Sequence, residues 1–214
     1  MAEEMVDIFD EGYRKRGVAD RNLAYVYGMW LNSFHCWLFR RKNGGQILFQ
    51  KRSGSKKLFP DCLDISAAGH LQTGETALDG VREIKEELGV DVDQRKLISL
   101  GIKHDTARIG DVVNRQFCHV FLYEIDCEVP EMGIDPGEVS GLVEISVADG
   151  LSLFSGATDA ITASGIEYAA DTCTWNSITK TITQADFIPR VDPYYYKIFI
   201  LVDRVMRGEE HLAI

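Results

Sequence analysis

The sequence predicts an α+β fold, and three observations predict it. Two β-rich runs flank Asn43-Gly44, the residue pair that best tolerates the positive φ angles of a tight hairpin turn. Residues 76–88 carry apolar side chains at helical spacing between a start signal and a stop signal, and a second helical pattern follows Asp192-Pro193. With 214 residues, 45% of them hydrophobic, the chain supplies the core of one compact domain. Residues 1–154 are read as that domain. Residues 155–214 are read as a C-terminal extension packed on it and ending in an amphipathic helix.

Along the chain, residues 6–10 read as a short strand closed by the Asp10-Glu11-Gly12 turn, and residues 13–22 show no clear period. Residues 33–40 and 46–52 form the hairpin. A lysine-bearing polar loop, 53–60, leads to a short apolar segment at 63–67. Residues 97–103 and 117–126 read as strands, and the second, FCHVFLYEID, is apolar on both faces and so belongs inside a sheet. Two prolines and two glycines make 128–138 a loop, before a strand at 142–146 and a helix at 148–154. In 155–190 only 177–183 reads as a strand. Asp192 is expected to cap the last helix with Pro193 at its first position; Ile198, Leu201, Val202 and Val205 repeat at helical spacing, and Gly208 ends the pattern.

Lys plus Arg number 23 against 33 Asp plus Glu, a net charge of −10, which argues against nonspecific nucleic-acid or anionic-membrane binding. A small anionic substrate would then need a cation as mediator. The longest apolar run, 198–202, falls short of a membrane span, and the N-terminus lacks the apolar region of a signal peptide. Cys36, Cys62, Cys118, Cys127 and Cys173 are odd in number and form no CxxC pair, so neither a disulfide framework nor a zinc site is indicated. A cytoplasmic protein is expected, with no nucleic-acid or membrane partner. The extension from Ser155 is expected either to shape substrate choice or to form a homodimer interface.

The informative stretch is 67–92. Thr76 to Asp79 has the form of a capping box, which places the helix start near Ala77, and Gly89 ends it. At about 100° per residue, Ala77, Val81, Ile84 and Leu88 share an apolar stripe, while Glu83, Glu86 and Glu87 fill the neighbouring arc. A solvated acidic face is the ordinary explanation for paired glutamates. Here Glu83 and Glu87 repel at i,i+4 spacing and only Arg82 to Glu86 compensates, whereas clustered hard oxygen ligands on a rigid element suit Mg2+.

Together with the glycine-bearing loop 69–75, this helix resembles the Nudix box, G-x5-E-x7-R-E-U-x-E-E-x-G-U with U aliphatic. Gly69, Glu75, Arg82, Glu83, Ile84, Glu86, Glu87, Gly89 and Val90 fill its fixed positions. Six residues, 76–81, stand where the pattern has seven, and the loop is expected to absorb the deletion. FHCWLF, QILFQKRS, Lys56, Lys57 and LDISAAGHLQTGE extend the resemblance, over about residues 6–154, to the subgroup akin to isopentenyl diphosphate isomerase.

The resemblance implies a Nudix-like mixed β-sheet sandwiched between helices (α/β/α) and hydrolysis of a small-molecule diphosphate, typically a nucleoside diphosphate derivative, with Mg2+ or Mn2+ as cofactor. By position it implies Glu83, Glu86, Glu87 and the Gly69 carbonyl as metal ligands, with Arg82 orienting the glutamates and Glu86 and Glu87 in the catalytic set. It suggests Glu138 as the base from a loop outside the box, ahead of Glu124 and Glu131. Arg52, Lys57 and His70 are its candidates for contacting the diphosphate. Two rivals share the fold. One is an isomerase, which in the related enzymes relies on a cysteine near the position that Ala67 or Ala68 occupies here; the other is an inactive ligand-binding module. Tyr194, Tyr195, Tyr196 and Trp30 are read as core or interface residues.

Overall fold

The computed structural model describes residues 4–110 and 112–214; the first three residues of the expected 1–154 domain and residue 111 lie outside it. The described residues form one mixed sheet and four α-helices. In chain order the strands are β1 (Met5–Phe9), β2 (Lys15–Asp20), β3 (Trp30–Arg40), β4 (Gln46–Arg52), β5 (Leu63–Asp64) and β6 (Ala67–His70). They continue with β7 (Ile98–Ile109), β8 (Val112–Glu124), β9 (Val139–Ser146), β10 (Ala160–Ala169) and β11 (Thr174–Thr183). The helices are α1 (Arg21–Val26), α2 (Arg82–Leu88), α3 (Val147–Phe154) and α4 (Tyr194–Met206). Among the described residues no helix is long and apolar enough to cross a membrane.

The sheet order is β11-β10-β9-β4-β3-β1-β2, with β8 parallel to β3 and carrying β7, while β5 pairs with β4 and β6 with β3. Alternation along β3 builds both layers at once. Phe34, Cys36 and Leu38 pack toward Ile84 and Leu88 of α2, and Trp37 and Phe39 pack toward Ile198, Phe199 and Val202 of α4, because successive side chains of a strand point to opposite faces. Strand β4 repeats the device, Leu48 on the α2 face and Ile47 and Phe49 on the other. Tyr194 anchors α4: its hydroxyl accepts from the Trp37 indole at 3.0 Å and lies 3.1 Å from His35 Nδ1.

Several elements depart from the sequence reading. The turn is where Asn43-Gly44 placed it, with φ of 52° and 81°, yet β3 and β4 share only the pairs Phe39↔Ile47 and Arg40↔Gln46. The main partner of β4 is β9, paired with it from Gln46↔Ser146 to Arg52↔Val139. The unassigned region 13–22 supplies β2 and the start of α1, whose N-cap is Asp20, accepting from Asn22 and Leu23 N–H. Strand β10 had no sequence signal, and it joins β9 to β11 so that the extension widens the same sheet. At α4 the expected cap is not used. The Asp192 carboxylate instead meets Lys103 at 3.3 Å and Lys197 at 3.7 Å, and it is the Asp192 backbone carbonyl that accepts from Tyr194 N–H.

The start of the acidic helix also differs. The α-helical hydrogen bonding begins at Arg82, not Ala77, preceded by a 3-10 turn over Asp79–Val81. Thr76 and Asp79 bond as a capping pair, with Thr76 N–H donating to the Asp79 carboxylate at 2.7 Å, but they close this tighter turn rather than an α-turn. Gly80 permits it: a Cβ there would overlap Phe34 on β3. Gly80→Ala is therefore expected to destabilise the protein by about 1–3 kcal/mol in urea denaturation, the usual cost of forcing an atom into a filled contact.

Candidate functional site

The site lies where α2 crosses β6. Strand β6 pairs with β3 in the register Ser33↔His70, Phe34↔Gly69 and His35↔Ala68, which fixes Ala68 and Gly69 beneath the acidic face of the helix. Gly69 is required by proximity, since a Cβ there would overlap the Glu83 carboxylate. Glu83 therefore lies down on the strand and is only 14% exposed. One turn further, Glu87 is 7% exposed and its Oε2 accepts from Ala68 N–H at 3.2 Å. Glu86 points outward, 60% exposed.

Arg82 ties these groups together. Its guanidinium donates to both Glu75 oxygens, at 2.8 and 3.2 Å, to the His70 carbonyl at 2.9 Å, to Glu83 at 2.5 Å and to Glu86 at 3.2 Å. The forked bond to Glu75 holds that carboxyl below its usual range. The missing residue between Glu75 and Arg82 is thus absorbed without loss of their contact. It is taken up by the 3-10 turn rather than by the loop alone, since that turn advances with fewer residues per revolution than an α-helix.

Burial, and then the neighbouring Glu83 charge, push the Glu87 carboxyl up to about 8. Burial raises Glu83 as well, against the pull of Arg82. Glu87 thus sits in a low-dielectric position with a repelling neighbour and a single backbone hydrogen bond, an arrangement that a hard divalent cation would relieve. Among the described residues no group of three or more His, Cys, Asp or Glu side chains is arranged to hold a metal ion. Glu83 and Glu86 are drawn to Arg82, and Glu87 to Ala68. The donor set fits a divalent ion in chemistry, and completing it would draw both Glu83 and Glu86 from Arg82 toward that ion.

Glu138 comes to the same place. The preceding loop is tied to α2 through Asp135 N–H, which donates to the Glu87 carbonyl at 3.0 Å, and Glu138 itself pairs with Lys56. Lys56 and Glu138 act on the Glu87 charge with opposite sign. The other two acids lie elsewhere: Glu124 bonds Arg41 at 3.0 Å, and Glu131 accepts from Glu128 N–H at 2.8 Å in a turn of its own.

Beside Gly69 opens a cavity of about 230 Å³, bordered by Arg52, Ala68, Gly69 and His70. Arg52 is braced by the Leu58 and Phe59 carbonyls at 3.1 and 3.2 Å and has Asp64 at 3.6 Å. Burial, then Arg21 and Arg82, push the His70 ring down to about 3, so it is neutral; its Nε2 lies 2.5 Å from the Tyr25 hydroxyl and 3.2 Å from the Gln116 amide nitrogen. Lys57 is exposed and does not line the cavity. Sequence reasoning missed two contributions, the Lys56 partner of Glu138 and the far wall of the cavity, which comes from Ile188, Pro189, Arg190 and Val191. Neither carries a local pattern.

The NUDIX domain family model matches residues 29–159. A Nudix hydrolase of Clostridium acetobutylicum, described as uncharacterized, is 36% identical over 196 residues, 91% of this chain and 95% of its own length. An isopentenyl-diphosphate Delta-isomerase of Klebsiella pneumoniae is 30% identical over 131 residues, 60% of this chain and 70% of its own. Among solved structures, one from Deinococcus radiodurans superposes with a TM-score of 0.56 at 24% identity, covering 72% of this chain and 90% of that one. A MutT/nudix family protein from Enterococcus faecalis gives 0.52 at 15% identity, covering 85% and 64%. These last two share the fold.

The buried carboxyl sets a pH dependence. Glu87 ionises near 4.5 unfolded and near 8 folded, so between those values the folded chain keeps a proton that the unfolded chain has lost, and stability falls as pH rises through that window before levelling off. Denaturation midpoints in EDTA are expected to decline from pH 5 to pH 8. Glu87→Gln is expected to flatten that decline.

Proposed function

Because this chain belongs to the NUDIX domain family, we propose that it is a metal-dependent hydrolase cleaving the diphosphate linkage of a nucleoside diphosphate derivative or related organic diphosphate by water attack on phosphorus. The observation that carries the metal dependence is Glu87, buried beside Glu83 with no cation in hydrogen-bond contact among the described residues. Mg2+ or Mn2+ held by Glu83, Glu86, Glu87 and the Gly69 carbonyl would supply positive charge against the diphosphate and acidify the attacking water.

The chain's own groups perform the rest. Arg82 braces Glu75 and keeps Glu83 and Glu86 on one side of the helix. Glu138, delivered by the loop bonded to α2, accepts the proton of the attacking water; Lys56 holds that carboxylate in place. Arg52 offers its charge to the diphosphate from the cavity wall, and His70, neutral, keeps the β6 end rigid through Tyr25. As the water oxygen bonds phosphorus, the bridging P–O bond breaks and the leaving phosphate carries away the electron pair.

Two features favour hydrolysis over the rival readings. Isomerisation requires a proton donor at the cavity wall, and Ala68 stands there. Cys118 is buried and its thiol is pushed up to about 12 by that burial, and Cys62 does not line the cavity. An inactive module has no need of an intact charge network, and the Glu75–Arg82 contact persists at 2.8 Å despite the shortened spacing.

With Mg2+ and a panel of nucleotide sugars, dinucleoside polyphosphates, nucleoside triphosphates and prenyl diphosphates, the wild-type chain is expected to release phosphate-bearing products and to stop in EDTA. Glu86→Gln and Glu87→Gln are each expected to lower kcat by about 100-fold or more while circular dichroism stays unchanged. Full turnover in both variants would falsify the assignment.

A further inference from the structure

Two arginines share one buried carboxylate at the edge of the cavity. Asp64, at the end of β5, is 6% exposed, and among the described residues its ion pairs are with Arg190 and Arg52. Arg190 takes one carboxylate oxygen at 2.9 Å, while Arg52 stands 3.6 Å from the other, outside hydrogen-bond reach. The inequality comes from how Arg190 is held. Its guanidinium donates to the Tyr195 hydroxyl at 3.3 Å, lies 5.2 and 5.5 Å from the ring centroids of Tyr194 and Tyr195, and reaches Asp105 at 3.2 Å. Lys103, at 2.6 Å, is the closer partner of Asp105, so Arg190 is left chiefly to Asp64. The family match of 29–159 does not include this arginine. Its segment is fastened along β5, where Phe187 bridges Leu63 and Ile188 N–H donates to the Leu63 carbonyl at 3.1 Å.

Arg52 uses Nε on the Phe59 carbonyl and Nη2 on the Leu58 carbonyl. Its Nη1, the nitrogen facing Asp64, makes no hydrogen bond among the described residues. With Arg190 in place, the Asp64 charge is answered first by Arg190, and Nη1 stays a donor without an acceptor beside the cavity. Without Arg190, Asp64 would be a buried carboxylate with one cation left near it. An unpaired buried charge is costly, and the attraction grows as the gap closes, so Asp64 would draw Arg52 into contact. Nη1 would then be occupied.

We propose that Arg190 is a positioning residue for diphosphate binding: it keeps Asp64 from capturing Arg52, and so leaves the Nη1 donors of Arg52 free for a phosphate oxygen. The proposal rests on the reading of Arg52 as a diphosphate contact. Arg190 need not touch the substrate to act. The affinity of the site for its anionic group is thereby set from the C-terminal extension, through one carboxylate that two arginines compete for.

The test is calorimetric titration of the full chain with methylenediphosphonate and Mg2+, which needs no turnover. Arg190→Gln is expected to weaken binding about 10-fold, the worth of one charge-assisted hydrogen bond. Adding Asp64→Asn to that variant removes the captor and is expected to restore wild-type affinity. A residue needed only for packing would not be rescued by losing a second buried group. Unchanged binding in folded Arg190→Gln, or a double variant as weak as the single one, overturns the proposal. Asp64→Asn alone is expected to bind at least as tightly as wild type, and it decides the matter where Arg190→Gln does not fold; weaker binding there overturns the proposal. Arg52→Gln is expected to bind more weakly than wild type. Equal affinity in that variant, or no binding by wild type, also overturns it. Failure to cleave any member of the diphosphate panel would count against the hydrolase reading and would leave these titrations as they stand.

Discussion

One guanidinium makes the acidic helix possible. Arg82 binds Glu75 across the loop, Glu83 and Glu86 along the helix and the His70 carbonyl on the strand below. Without it, three carboxylates within five residues would repel one another in a partly dry environment, and the loop would have no fixed relation to the helix. Arg82 satisfies the outer pair and leaves Glu87 unsatisfied. The charge is thereby shared unevenly, and the unmet part lies against strand β6, where Ala68 N–H is its one hydrogen-bond partner among the described residues. A lysine could not replace it, since the contacts use a planar fork with several donors at fixed angles.

The sheet gives this cluster its rigidity. Strand β3 is buried on both faces and paired on both edges, with β8 on one side and β6 and the end of β4 on the other, so the position of β6 is set by the best-packed strand of the molecule. Helix α2 has only seven residues and would not persist alone. Ile84 and Leu88 hold it to the β3 face. The opposite layer, α3 and α4 around Phe49, Phe154 and Phe199, carries much of the core.

What was legible in the sequence was local. The glutamate arc, the apolar stripe beside it, the Asn43-Gly44 turn and the two-faced character of β8 all follow from periods of a few residues. The capping pair at Thr76 and Asp79 was legible too, but its consequence was not. A turn one residue short closes as a 3-10 helix once Gly80 can lie against Phe34, and Phe34 is far away in sequence. The same limit hid the Lys56–Glu138 pair, 82 residues apart, and the pairing of β4 with β9 along its whole length. Strand β10 escaped because its buried positions include the small Ala163, and a glycine interrupts its alternation. The far wall of the cavity was illegible for the strongest reason: Arg190 acquires meaning only when Asp64 and Asp105 stand beside it.

The partnership of Arg190 with Asp64 spans 126 positions of chain. During synthesis from the N-terminus, the Glu83–Glu87 cluster emerges well before the residue that completes the chamber next to it. The nascent molecule therefore owns its acidic cluster before it owns the enclosure beside it. Enclosure is the last property this architecture acquires and the first that shortening its tail would remove.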